Sequence, residues 1–229
     1  VISAVYVAWN EAALIGESIR SVSAYVDQIV VVDCAFSSNP AEGSVGSSDG
    51  QRAVVLEAAG RLPVTYVLPK VRLEEHEARN LALEQAAPGS WAVLLDADEI
   101  LVSSHGWMKA LIEGEFGEVA PAVALRVYTS AVLFNGNADE MDEATYRSAP
   151  IVWTYGYQPR IVQRRPGLHY QRDEIRAGVF THGVLWQGST ILEGRLLSEP
   201  VILNRHVAQD FAGYQADYAW EAAQRDGAR

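Results

Sequence analysis

The chain predicts an α/β protein built on a doubly wound, mostly parallel sheet. Two observations carry this. Short apolar runs alternate with segments of helical periodicity through the first hundred residues. The runs are apolar at consecutive positions, as strands buried on both faces must be.

The elements follow in order. Val1–Ala8 is β-rich, and Asn10 is a good N-cap for the helix that Leu14, Ile15, Ile19 and Val22 mark by their spacing. Gln28–Val32 is the second strand and ends at Asp33. Residues 37–50 are rich in Ser, Gly and Asn, hence loop. Gln51–Ala59 is a helix closed by Gly60, and Val64–Leu68 is the third strand. Glu74–Ala86 is a helix stopped by Pro88-Gly89, and Trp91–Leu95 is the fourth strand. The β-α-β-α-β-α-β order implies right-handed crossovers. The second half is less regular. It predicts a helix over Ser104–Ile112, a strand over Ala122–Tyr128 and an exposed acidic loop or flap over 134–150, with a solvated charge run as the alternative. Arg160–Arg164 and Leu168–Gln171 read as a hairpin turning at Pro166-Gly167. A short strand, Val201–Leu203, precedes a final helix, Val207–Gln224. No repeat or low-complexity linker divides the chain, which predicts a single domain over 1–229.

With 229 residues, 49% hydrophobic and 21% charged, the chain can bury a substantial core. A net charge of −11 argues against a nucleic-acid partner, which calls for a basic face. Cys34 is the single cysteine, which excludes a disulfide framework and a thiolate zinc site and fits a reducing, cytoplasmic compartment. There is no signal-peptide pattern, and no apolar run approaches the ~18 residues of a membrane span. Peripheral membrane contact stays open.

Asp96-Ala97-Asp98 follows the fourth strand directly. Residues i and i+2 of an extended backbone point the same way, so both carboxylates aim at one spot beyond the strand's C-terminal end. Ligands of open α/β sheets bind there. Paired hard oxygens suit a divalent cation that clamps a phosphate, and a solvated acidic turn is the alternative.

Several segments together resemble family 2 glycosyltransferases of the GT-A fold. They are Ala8-Trp9-Asn10-Glu11, Ile29–Asp33, Ser47-Ser48-Asp49-Gly50, Ala78-Arg79-Asn80 and Leu94–Glu99. The resemblance covers residues 1–103. It continues more loosely through Pro159–Gly167 and Ile202–His206, which are similar to segments of the bacterial lipopolysaccharide-core branch. It implies a nucleotide-sugar-binding half over 1–103 and an acceptor-binding half over 104–229. The activity it implies is a metal-dependent, inverting transfer of a sugar from a nucleotide diphosphate donor to a carbohydrate or other hydroxyl acceptor. One departure is an apparent insertion over 36–46, between Asp33 and Ser47.

The resemblance also implies residue roles. Asp33 hydrogen-bonds the base or ribose, with a turn cap as the alternative, and Trp9 and Glu11 line the same pocket unless Trp9 is plain core. Arg79 reaches the donor, or pairs with Glu75 one helical turn back. Asp98 coordinates Mn²⁺ or Mg²⁺ and Asp96 helps hold the ribose. His206 is a further metal ligand, or a polar residue before the last helix. An imidazole there would tilt preference towards Mn²⁺. Glu174, Asp173 and His182 are the candidates for the catalytic base that takes the acceptor's proton, each with surface charge as its alternative. Arg160, Arg164 and Arg165 are candidate phosphate holders or hairpin residues. Two rivals remain. A sugar-phosphate nucleotidyltransferase would need a glycine-rich loop where the chain has Trp9-Asn10-Glu11-Ala12. The other is a non-catalytic nucleotide- or carbohydrate-binding module. A retaining enzyme of the same fold is a third possibility, because the fold and Asp-x-Asp serve both stereochemistries.

Overall fold

The computed structural model describes residues 1–37, 44–102, 122–129, 153–176, 179–186, 189–190 and 195–204, with side chains over 1–37, 44–101 and 160–171. The first half alternates as expected: β1 (Ile2–Ala8), α1 (Ala12–Val22), β2 (Gln28–Asp33), α2 (Gln51–Ala59), β3 (Val64–Val67), α3 (Glu75–Gln85) and β4 (Trp91–Leu95). Then come β5 (Glu99–Val102), β6 (Ala122–Thr129), β7 (Trp153–Gln163), β8 (Leu168–Arg176), β9 (Val179–Trp186), β10 (Ser189–Thr190) and β11 (Arg195–Asn204). The helices expected over Ser104–Ile112 and Val207–Gln224, the flap over 134–150 and His206 lie outside the described residues, as does most of the 36–46 insertion.

The main sheet runs β3-β2-β1-β4-β7-β6-β11-β5. The β1–β2, β1–β4, β2–β3 and β6–β11 pairs are parallel, while β7 and β5 run against their neighbours. The sheet is doubly wound. Ile15, Ile19 and Val22 of α1 and Val55 and Ala59 of α2 pack with Tyr6, Ile29, Val31, Val93 and Leu95 on one face. Ala78, Ala82 and Leu83 of α3 pack with Val5, Val30, Val32, Leu94 and Val162 on the other. Every residue of β1 and β4 is buried, which explains why neither alternates in hydropathy.

The far edge of the sheet rolls back. Only Asp96–Asp98 separate β4 from β5, so Leu95 and Glu99 lie within about 14 Å of each other. Four flat inter-strand steps would part them by about 19 Å. The strands from β4 to β5 therefore curl, and β5 also packs against α1, where the Leu101 N–H donates to Ser21 Oγ (3.0 Å).

Two expectations need correction. The turn at Pro166-Gly167 forms, with the Leu168 N–H bonded to the Arg165 carbonyl (3.1 Å) and Gly167 at φ 85°. Its flanking strands do not pair. β7 enters the main sheet between β4 and β6, and β8 pairs with β9 in a separate three-stranded sheet. Nor is Asn10 the cap of α1. It sits at φ 56° and Glu11 takes the N-cap position. Capping comes from a distant segment: Asp49 Oδ2 accepts the Ala12 N–H (2.8 Å) and Gln51 Oε1 accepts the Glu11 N–H (2.9 Å).

Candidate functional site

The C-terminal ends of β1, β2 and β4 gather most of the expected residues. Trp9 and Glu11 follow β1, Asp33 closes β2, and Asp96 and Asp98 follow β4. Parallel pairing sets this alignment: Ala8 is opposite Asp33, and Tyr6 is opposite Leu95.

On the β2 side the loop 44–50 is stitched down by side chains. Asp33 Oδ1 accepts the Ser47 N–H (2.9 Å) and Ser47 Oγ (2.6 Å), while Oδ2 accepts the Tyr66 hydroxyl (2.7 Å). Ser47 Oγ accepts the Asn10 N–H (2.8 Å), and Asn10 Oδ1 accepts the Ser48 N–H (2.9 Å). Gln51, wholly buried, donates to the Tyr66 hydroxyl (3.3 Å). Asp33 thus acts here as the turn cap that the sequence left open. Sequence reasoning did not give roles to Ser47, Gln51 or Tyr66. The one available signal was the polar run Ser47–Gln51 following a strand-end carboxylate.

On the β4 side an alternating chain of charges crosses three elements. Arg79 Nε and Nη2 both reach Glu75 Oε1 (3.0 and 2.9 Å), and the same Nη2 lies 2.8 Å from Asp96 Oδ1. The i−4 pair with Glu75 forms, and the same guanidinium also meets Asp96. Arg160 of β7 places Nη2 2.6 Å from Glu99 Oε1 and 3.6 Å from Asp96 Oδ2. Glu99 is wholly buried, and its Oε2 accepts the Asp96 N–H (2.9 Å). Burial works against the Arg79 charge, but Asp96 and Glu75 more than offset it and hold the guanidinium protonated. Burial raises the Glu99 carboxyl above its ordinary range, against the pull of Arg160. Glu99 was legible only as the residue after the motif.

Glu11 stands between the two groups. Burial, then Asp98, Asp49 and Asp96, push its carboxyl up to about 7. Glu11, Asp49, Asp96 and Asp98 thus lie close enough to interact at this edge. Trp9 Nε1 is buried and has no acceptor among the described residues. An indole N–H without a partner costs about 1–3 kcal/mol, and a ligand oxygen would recover it.

The three arginines of the 160–165 segment separate. Val93 pairs with Ile161 and Trp91 with Gln163, so Arg160 lies near the carboxylates and Arg164 near the strand's other end. Arg164 Nη1 bonds the Ala86 carbonyl at the end of α3, and Arg165 Nε bonds Gln163. A cleft of about 550 Å³ opens at that opposite edge, between α3 and residues 163–169. Glu84 lines it, but none of the carboxylates at the β4 end does. Asn80, next to Arg79, makes a reciprocal pair with the backbone of Tyr170 (2.7 and 3.0 Å) and docks β8 on α3. In the smaller sheet, Asp173 lies opposite Thr181, Glu174 opposite Phe180 and His182 opposite Arg172.

No protein-family model and no curated protein matches the chain. Among solved structures it is similar to the S. aureus TarS fragment 1–349 in complex with UDP, at 16% identity, over 71% of this chain and 46% of that one, with a TM-score of 0.42. A mycobacterial protein is 20% identical over 71% of this chain and 53% of its own, with a TM-score of 0.39. HddC from Yersinia pseudotuberculosis is 7% identical over 94% and 99%, with a TM-score of 0.43. The chain spans less than half the length of the TarS fragment it matches. None of these likenesses carries a ligand or an activity across to this chain.

Proposed function

We propose that the chain is a glycosyltransferase that takes a nucleotide diphosphate sugar with a divalent cation and passes the sugar, with inversion, to a hydroxyl acceptor. The observation that carries this is the Asp96–Asp98 turn at the end of β4, with Asp96 lying between Arg79 and Arg160. The ordered set of segments similar to family 2 glycosyltransferases supports it.

The residues fit a cation. Asp98 follows a buried strand at the ligand edge, and Glu11 beside it has its carboxyl raised by burial first and then by Asp98, Asp49 and Asp96. No group of three or more ligating side chains occurs among the described residues, so Asp98 would hold the ion together with diphosphate oxygens and water. Both oxygens of Asp96 face arginines, which directs it to orienting rather than ligating. The cation, Mn²⁺ or Mg²⁺, would neutralise charge on the departing diphosphate. Trp9 offers its indole N–H to the donor, and Asp33 shapes the base pocket by holding the loop 44–50. Residues 104–229 supply the acceptor side in this reading. Glu174, with Asp173 and His182 as alternatives, takes the acceptor proton, and His206 is a further candidate ligand.

A thermal-shift screen of UDP, GDP, CDP and TDP, each with and without Mn²⁺, tests the reading. A ligand at a hundredfold excess over its dissociation constant stabilises the folded state by roughly 2.7 kcal/mol. No shift with any nucleotide under either condition would remove the proposal.

A further inference from the structure

We propose that Glu99 and Arg160 are positioning residues, a buried pair that holds the Asp96–Glu99 turn in the shape that presents Asp98 to the cation and diphosphate. This rests on the reading of Asp98 given above. The turn is closed twice. The Glu99 N–H donates to the Asp96 carbonyl (3.0 Å), and the Asp96 N–H donates back to Glu99 Oε2 (2.9 Å). Asp98 lies inside that double closure, which fixes its place in the turn. The second carboxylate oxygen of Glu99 is held by Arg160 Nη2 at 2.6 Å, so Arg160 fixes the clasp rather than the tip.

Three features separate this pair from an ordinary core ion pair. Glu99 has no exposed surface, a costly place for a carboxylate, and it sits beside two further acids. Arg160 Nε is buried without an acceptor among the described residues, so the guanidinium is not placed for best hydrogen bonding. And Arg160 comes from β7, so the clasp ties the second half of the chain to the donor edge of the first. A role in stability alone would be served as well by apolar residues of similar volume.

The test compares wild type, Glu99→Gln, Arg160→Lys and the double variant Glu99→Gln/Arg160→Gln, which removes both buried charges together. Amide exchange at Asp96 is followed without ligand. The affinity for the tightest of UDP, GDP, CDP and TDP is then measured with Mn²⁺ and with EDTA. Asp96 exchange in the double variant should rise by about tenfold or more. Its Mn²⁺-dependent affinity should fall by about tenfold while the affinity in EDTA is unchanged. Arg160→Lys, which keeps the charge, should recover part of both. If the double variant does not fold, Arg160→Lys alone makes the comparison, with a smaller rise in Asp96 exchange and a smaller loss of Mn²⁺-dependent affinity expected. Unchanged exchange overturns the proposal, and so does equal loss with and without metal. Wild-type protein that binds none of the nucleotides with Mn²⁺ overturns the reading of Asp98 instead, and the Asp96 exchange still decides whether the pair holds the turn.

Discussion

Arg79 Nη2 lies 2.8 Å from Asp96 Oδ1 and 2.9 Å from Glu75 Oε1, so one guanidinium ties α3 to the turn after β4. Its side chain is only 10% exposed. The contact does two things. It offsets charge on Asp96 and Glu75, and it sets the direction of the Asp96 carboxylate.

Removing that guanidinium should be costly. Arg79→Ala takes this guanidinium from Glu75 and from Asp96 Oδ1 and leaves Asp96 only the longer contact to Arg160, and should destabilise the fold by about 3–5 kcal/mol. Arg79→Lys keeps a charge but loses the planar fork, and should fall in between. Urea unfolding of the three proteins measures both. A loss below about 1 kcal/mol for Arg79→Ala, the range of exposed ion pairs, would mean the contact is incidental.

Asp98 should behave in the opposite way. Asp98→Asn removes a carboxylate that raises the Glu11 pKa, so stability without ligand should hold or rise. Turnover should drop by two orders of magnitude or more, about 2.7 kcal/mol of transition-state stabilisation. A variant that unfolds would show that Asp98 serves the structure instead.

Glu11 predicts a pH dependence. Its folded-state carboxyl titrates at about 7, above the unfolded value of about 4.3. Below the unfolded value the group is protonated in both states and the fold keeps its full stability. As pH rises from there through about 7 the unfolded state ionises before the folded one, and stability is lost. Glu11 is partly open to solvent, which screens the effect, so a loss of roughly 1–2 kcal/mol is expected. Glu11→Gln should match wild type at pH 4 and exceed it at pH 8. Chemical denaturation at the two pH values checks this, and a gain at pH 4 alone would reverse the sign.

The loop 44–50 depends on Asp33 and Tyr66. Tyr66→Phe deletes the 2.7 Å bond to Asp33 Oδ2 and should cost about 1.5–3 kcal/mol, as for a hydrogen bond to a charged group. Asp33→Ala should also free Ser47 and open the loop to limited proteolysis. Cleavage between residues 44 and 50 at the wild-type rate would count against Asp33 as its anchor.

The sequence made the first half of the fold legible because buried parallel strands leave unmistakable apolar runs, as in Ile29–Val32 and Ala92–Leu95. It also put Asp33, Asp96 and Asp98 at strand ends and Arg79 on a helix, which is where they stand. Tertiary partners were not legible. Nothing local to Arg160 says that β7 slots beside β4, so its pairing with Glu99 had no signal. Asn10 looked like a cap because its type fits, yet a distant loop supplied Asp49 and Gln51 for the task. The turn chemistry of Pro166-Gly167 was read correctly. The partners of its two strands were not, because a turn fixes a change of direction and not which strands pair.

Calorimetric titration of the best-binding nucleoside diphosphate into wild type and Asp98→Asn, each with Mn²⁺ and with EDTA, tests the central claim most directly. Wild type should bind at least about tenfold more tightly with Mn²⁺, a difference of about 1.4 kcal/mol, and Asp98→Asn should lose that difference. Equal wild-type affinity in Mn²⁺ and EDTA would contradict a cation held between Asp98 and the diphosphate.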